Sequence, residues 1–169
     1  MLPFLCNNLL NNYHIQFFID GEKSLYNNIF SIFEWLSDSY HIILDWYHLK
    51  KKCKYELSLA LNNTEFKNKI LEKLLPQLWL GKVDTAIDCM ENIDPDYIKS
   101  KNNVKRLIGY FERNREHIPC YALRKSLNLR NSSNKGEKQN DLTVSDRQKN
   151  NGMSWSQNGS VALATITTL

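Results

Sequence analysis

No stretch of the sequence approaches the ~20 consecutive apolar residues that a membrane-spanning helix requires. The opening "MLPFLCNNLLNN" has neither a basic leader nor a small-residue cleavage site, so it does not read as a signal peptide. Cysteines number only four and stand far apart, with no C-x-x-C pair. That favours reduced thiols in a cytoplasmic protein over a disulfide framework. There is no glycine-rich phosphate loop and no Ser/His/Asp arrangement. These absences set aside a membrane protein, a disulfide-stapled module, a P-loop nucleotidase and a triad hydrolase.

What remains is one domain's worth of chain, 169 residues with 42% hydrophobic and 24% charged content. The net charge of +4 is unevenly placed. Residues 1–100 hold 10 Lys and Arg against 13 Asp and Glu, a balance of −3; residues 101–169 hold 12 against 5, a balance of +7. The asymmetry fits either a polyanion-facing C-terminal half or an ordinary solvated surface.

"HIQFFID" (14–20) reads as a buried strand closed by Asp-Gly. "SLYNNIFSIFEWL" (24–36) sets Leu25, Ile29, Ile32, Phe33 and Leu36 on one helical face, with Ser24 as its N-cap. "HIILDWYHL" (41–49) reads as a second buried strand. Strand, helix and strand with short connections form a βαβ unit, so the strands should be parallel.

From about Tyr47 to Asn128 the pattern is helical. "TEFKNKILEKLLPQLWL" repeats apolar residues at Phe66, Ile70, Leu71, Leu74, Leu75 and Leu78, and Pro76 should kink or end it. "VDTAIDCMENI" is a short helix. "DPDYIKSKNNVKRLIGYFERNREHI" sets Ile98, Val104, Leu107, Ile108 and Phe111 on one stripe, and "PCYALRKSLNL" starts a further helix at Pro119.

"RNSSNKGEK" (130–138) is a loop. "EKQNDLTVSDRQKN" is a helix candidate with Leu142 and Val144 as its apolar residues. Gly152 breaks it, and a capping box from Ser154 to Gln157 starts a last helix. A two-stranded parallel sheet is too small to stand alone, so the expectation is a fragment with part of its sheet missing.

Three carboxylates invite a chemical reading: Asp20 and Asp45 at strand ends, and Glu137 at a helix start. Ligands collect at the carboxyl ends of parallel strands. Carboxylates there suit Mg²⁺, and two such ions about 4 Å apart can activate a nucleophile and stabilise a leaving oxygen on phosphate. Each residue also has a plain structural reading: Asp20 as a turn residue, Asp45 as a strand-end hydrogen-bond acceptor, Glu137 as a carboxylate favoured by a helix dipole.

"FFIDGEKSL", "IILDWYHLKKK" and "GEKQNDLTVSDRQKNNGMSWSQNGSVALA" together resemble DDE transposases of bacterial insertion sequences, those with a Mutator-like, RNase H-like catalytic domain. The order matches over nearly the whole chain: an Asp-Gly strand end, a "LDWYHL"-type strand, a helical insertion, then a Glu-bearing helix followed by Arg147, Lys149, Gly152, Met153, Trp155 and Ser156 in a specific spacing.

The resemblance implies an α/β fold that is predominantly helical. Residues 1–49 would be a partial RNase H-like core, 50–129 a helical insertion, and 130–169 the catalytic-Glu helix and the final helix of the core. It makes Asp20 the second Asp of the catalytic triad and Glu137 its Glu, both ligands to Mg²⁺ or Mn²⁺. Asp45 and His48 fall where relatives carry a supporting Cys-x-x-His or Asp-x-x-His pair. The first Asp belongs on a strand upstream of Met1, so the chain is expected to be inactive alone. In the intact enzyme, water and then a DNA 3′-hydroxyl would attack phosphorus, and the partners would be DNA and further copies of the chain.

The basic run "HLKKKCK" sets Lys50, Lys51 and Lys52 at a helix start, for DNA phosphate or for solvent. Lys138, Arg147 and Lys149 lie on the Glu137 helix and are expected to face phosphate. Trp155 reads as core rather than as a base-stacking residue. His48, Cys53, His117 and Cys120 would make a zinc site only if the insertion brought them together, and their spacing matches no standard finger. Cys6 and Cys89 read as small buried hydrophobes. The alternative to a transposase part is a non-catalytic helical remnant that still binds DNA.

Overall fold

The computed structural model describes residues 15–33 and 40–133. Glu137, Lys138, Leu142, Val144, Arg147, Lys149, Gly152, the 154–157 capping box with Trp155, and Cys6 all lie outside the described residues, as does the last helix.

Strand β1 (Ile15–Ile19) and strand β2 (Tyr40–Leu44) pair in parallel, with Ile15 opposite Tyr40 and Ile19 opposite Leu44. Their β-branched and aromatic residues suit a pleated surface packed on both faces. Helix α1 (Lys23–Phe33) connects them, so the βαβ unit is present and the described chain is mostly helical. Of the residues expected on its inner stripe, Ile29 is buried; the side chains of Leu25, Ile32, Phe33 and Leu36 lie outside the described residues. Ser24 falls inside α1 instead of capping it. The Asp20 carboxylate accepts a hydrogen bond from the Glu22 amide (2.9 Å), which turns the chain earlier, and the Glu22 carbonyl takes the Tyr26 amide.

The second strand is shorter than its apolar run. It ends at Leu44, and helix α2 (Trp46–Ala60) starts two residues on. Asp45 is the reason: its carboxylate accepts from the amides of Tyr47 (2.8 Å) and His48 (3.2 Å), satisfying two donors that a helix start leaves open. Helix α3 (Thr64–Trp79) is capped by Asn63, whose side chain takes the Phe66 amide. Pro76 lies inside α3, in its last turn, and the helix ends at Trp79. Gly81 then adopts φ +74° and closes a Schellman-type end, with the Lys82 amide donating to the Gln77 carbonyl.

Helix α4 (Val83–Glu91) follows. The stretch expected as one helix from Asp94 to Ile118 is divided into a 3₁₀ turn (Pro95–Tyr97), helix α5 (Lys101–Arg113) and a second 3₁₀ turn (Arg115–His117). Asp94 nucleates the first turn by accepting the Asp96 amide. Ile98 therefore leaves the α5 stripe and forms an antiparallel bridge to Leu61. Helix α6 (Tyr121–Ser126) starts after Cys120, whose sulfur takes the Leu123 amide.

One core joins sheet and helices. Ile19, Ile43 and Leu44 of the strands belong to the same buried cluster as Leu49, Leu57, Leu74, Leu78, Leu107 and Phe111. Trp46, Trp79 and Tyr121 meet with ring centroids 4.8–5.8 Å apart and tie the starts of α2 and α6 to the end of α3. Cys53 sits inside this core, and burial pushes its thiol up to about 12. Cys89 is half-buried rather than enclosed. Beyond α6 the chain returns to the sheet: the Trp46 amide donates to the Asn131 carbonyl, and Arg124 bonds Gln16 of β1 and the Arg130 carbonyl. Among the described residues no helix is long and apolar enough to cross a membrane.

Candidate functional site

Register places the two strand-end aspartates side by side, one step past Ile19 and Leu44. The ladder continues there, with the Asp45 amide donating to the Ile19 carbonyl (2.8 Å). A buried tyrosine holds each exit. The Tyr110 hydroxyl of α5 donates to the Asp20 carbonyl (2.8 Å), and the Tyr121 hydroxyl of α6 donates to the Leu44 carbonyl (2.7 Å). Burial, first of all, raises the pKa of both phenols, so both keep their protons well above neutral pH. Gly21 is required at the first exit. Its φ is +89°, and a Cβ there would stand 2.6 Å from the Tyr110 ring.

Past these exits the two carboxylates part company. Asp20 is exposed, with Oδ1 accepting the Glu22 amide. Asp45 is 1% exposed and caps α2, with His48 Nδ1 3.4 Å from Oδ1. Asp45 and His48 thus meet at the start of α2. The structural role of Asp45 is the helix cap.

A cleft of about 630 Å³ opens between the β1 exit, α2 and α5. Asp20, Gly21 and Glu22 form one rim, His48, Lys51, Lys52, Tyr55 and Glu56 come from α2, and Arg106, Tyr110 and Arg113 from α5. Among the expected DNA-contacting lysines, Lys51 lines the cleft and is exposed, and Lys50 does not line it. Lys52 lines it too, but its ammonium lies 3.0 Å from the Glu56 carboxylate and 5.9 Å from the centre of the Tyr110 ring. That makes it an internal partner rather than a free phosphate contact.

Glu56, Tyr55, Arg106 and Arg113 were not singled out by sequence, although Glu56 carried a signal. Leu49, Cys53, Glu56, Leu57 and Ala60 are the buried face of α2, so a carboxylate interrupts an apolar stripe. Glu56 is fully buried; besides Lys52, Arg106 Nη2 lies 3.6 Å away. The geometry to both is ionic, with no hydrogen bond to either oxygen among the described residues. A carboxylate so buried calls for such partners.

The metal reading meets a limit here. Among the described residues no group of three or more His, Cys, Asp or Glu could hold an ion. Asp20 offers one exposed carboxylate, Asp45 is engaged as a cap, and Glu137 lies outside the described residues, so the described donors do not make a Mg²⁺ site by themselves. The zinc arrangement is not assembled either. Cys53 points into the core, Cys120 caps α6, and His117 packs on Tyr26 with ring centroids 5.1 Å apart. Burial lowers the His117 pKa.

What the cleft can do is receive an anion. Lys51 and Arg113 have no ion-pair partner among the described residues, and Arg106 is 64% exposed. No family model, curated protein or solved structure matches the chain.

Proposed function

We propose that the chain is part of a DDE-type DNA transposase with an RNase H-like core, and that the cleft beside Asp20 receives the DNA backbone. The intact enzyme would cleave transposon ends and transfer strands with Mg²⁺ or Mn²⁺, acting as a homo-oligomer on DNA in the cytoplasm. The observation that carries this reading is the meeting of an exposed strand-end carboxylate, Asp20, with three cations drawn from two helices, Lys51, Arg106 and Arg113. Each cation that meets a phosphate displaces a counterion, which makes binding fall as salt rises.

A second reading is a non-catalytic DNA-binding module. Lys51, Arg106 and Arg113 would serve it without any metal.

The test has two arms. Binding of the full chain to duplex DNA is measured against salt, where Lys51→Ala and Arg113→Ala should each weaken binding and lower the salt slope by about 1. Binding that ignores salt and both substitutions overturns the DNA reading. Cleavage of end-containing DNA with Mg²⁺ is then compared for the full chain and Glu137→Gln. Metal-dependent cleavage that the substitution abolishes, with binding retained, selects the transposase. Binding without cleavage is expected of a transposase part lacking its first Asp as well as of the module; an upstream reading frame that encodes a further strand-end Asp, or flanking inverted repeats, then selects the transposase, and the lack of both selects the module.

A further inference from the structure

We infer that the cleft takes a single-stranded segment of DNA, with Tyr55 as the stacking surface for one base and Lys51, Arg106 and Arg113 on the flanking phosphates. This rests on the DNA reading above and narrows its ligand.

Tyr55 is the first reason. It is 59% exposed on the cleft wall and has no ring partner among the described residues. Trp46, Trp79, Tyr110 and Tyr121, by contrast, all pack against other rings. An aromatic face left open beside cations is the arrangement that binds single strands, because every base offers a π-face to it.

The cations supply the second. Lys51 precedes Tyr55 by four residues on α2, so the two share one helix face. Arg106 and Arg113 are seven residues apart on α5, two turns or about 10 Å along the axis. The Arg113 side chain lies back over Gly109, so its guanidinium, Arg106 and Lys51 line one cleft as a group of cations suited to neighbouring phosphates of a strand. Buried Glu56 steadies the wall between them by holding Lys52 and drawing Arg106 inward.

Size gives the third. A cleft of about 630 Å³ has the volume of a small-molecule site. It admits a nucleotide unit, so a base freed from pairing can enter beside Tyr55.

The experiment is fluorescence anisotropy on the full chain with a labelled 15-mer of thymidylate and a 15-base-pair duplex at one salt concentration. Unlabelled thymidine monophosphate serves as competitor. The single strand should bind at least tenfold more tightly than the duplex, and the mononucleotide should compete poorly. Tyr55→Ala should weaken single-strand binding roughly tenfold or more while leaving duplex binding unchanged; Tyr55→Phe should retain it. Tyr55 is outside the core, so circular dichroism of both variants should match the parent. A duplex bound as tightly as the single strand, or Tyr55→Ala without effect on the single strand, overturns the inference and leaves the DNA reading standing. Binding of neither nucleic acid overturns both.

Discussion

The ends of β1 and β2 begin from the same plan and reach opposite results. Each strand has five residues, four of them apolar or aromatic, and is followed by Asp, and each exit carbonyl is held by a buried tyrosine hydroxyl. Asp20 is followed by Gly21, whose positive φ throws the chain outward and leaves the carboxylate on the cleft. Asp45 is followed by Trp46, whose ring enters the core beside Trp79 and Tyr121, and the backbone coils at once into α2. The carboxylate is then drawn over the helix start and buried. The residue after the aspartate, rather than the aspartate itself, decides between a site and a cap.

Removing the glycine should damage that contrast most. Gly21→Ala must take an alanine into a left-handed backbone and drive its Cβ into the Tyr110 ring. A loss on the order of 3 kcal/mol is expected from strain and overpacking together. Urea denaturation measures it, and a loss under 1 kcal/mol would mean that Tyr110 yields easily and does not hold this exit.

Next comes the exchange of the two aspartates. Asp45→Ala removes the α2 cap and should cost about 1–2 kcal/mol, while Asp45→Asn, also a good cap, should recover most of that. Asp20→Ala, at an exposed position, should stay within about 0.5 kcal/mol of the parent and act on the cleft's function instead. Equal destabilisation by the two alanine variants would erase the distinction between site and cap.

Much of this was legible beforehand. Runs of β-branched and aromatic residues marked both strands, and short connections required them to be parallel, as they are. The apolar stripe of α3 matched its buried residues Ile70, Leu71, Leu74 and Leu78. The strand end at Leu44 was misplaced because "DWYHL" is apolar enough to continue a strand, and only the capping bonds of Asp45 show the helix starting there. The division before α5 was hidden for a similar reason. Ile98 fits a helical stripe by spacing, yet its bridge to Leu61 is a long-range pairing that no local period contains.

The cleft was half legible. Lys51 and Asp20 belonged to recognisable local patterns, but Arg106 and Arg113 come to it by the packing of α5 on α2. No window of sequence records that packing. The expected pairing of Asp20 with Glu137 lies outside the described residues.

The smallest effect separates the two tyrosine clamps. Tyr110→Phe and Tyr121→Phe each delete one hydrogen bond to a strand-end carbonyl, at about 1 kcal/mol apiece by denaturation. The phenols have pKa values raised in the folded state, and Cys53 is raised from 9.0 to about 12. A group whose pKa rises on folding lends stability that is complete below its unfolded value and is lost as pH climbs toward the folded one. Stability should therefore hold level up to about pH 9 and fall beyond it, less steeply in either phenylalanine variant because one titrating group is gone. The clamps should differ in function. Tyr110 lines the cleft and fixes the backbone of Asp20, so Tyr110→Phe should also weaken DNA binding. Tyr121 anchors the buried exit of β2, so Tyr121→Phe should lose stability alone. If both variants weaken binding alike, the two exits are mechanically coupled through the sheet, and an exposed carboxylate is not enough to make one of them the site.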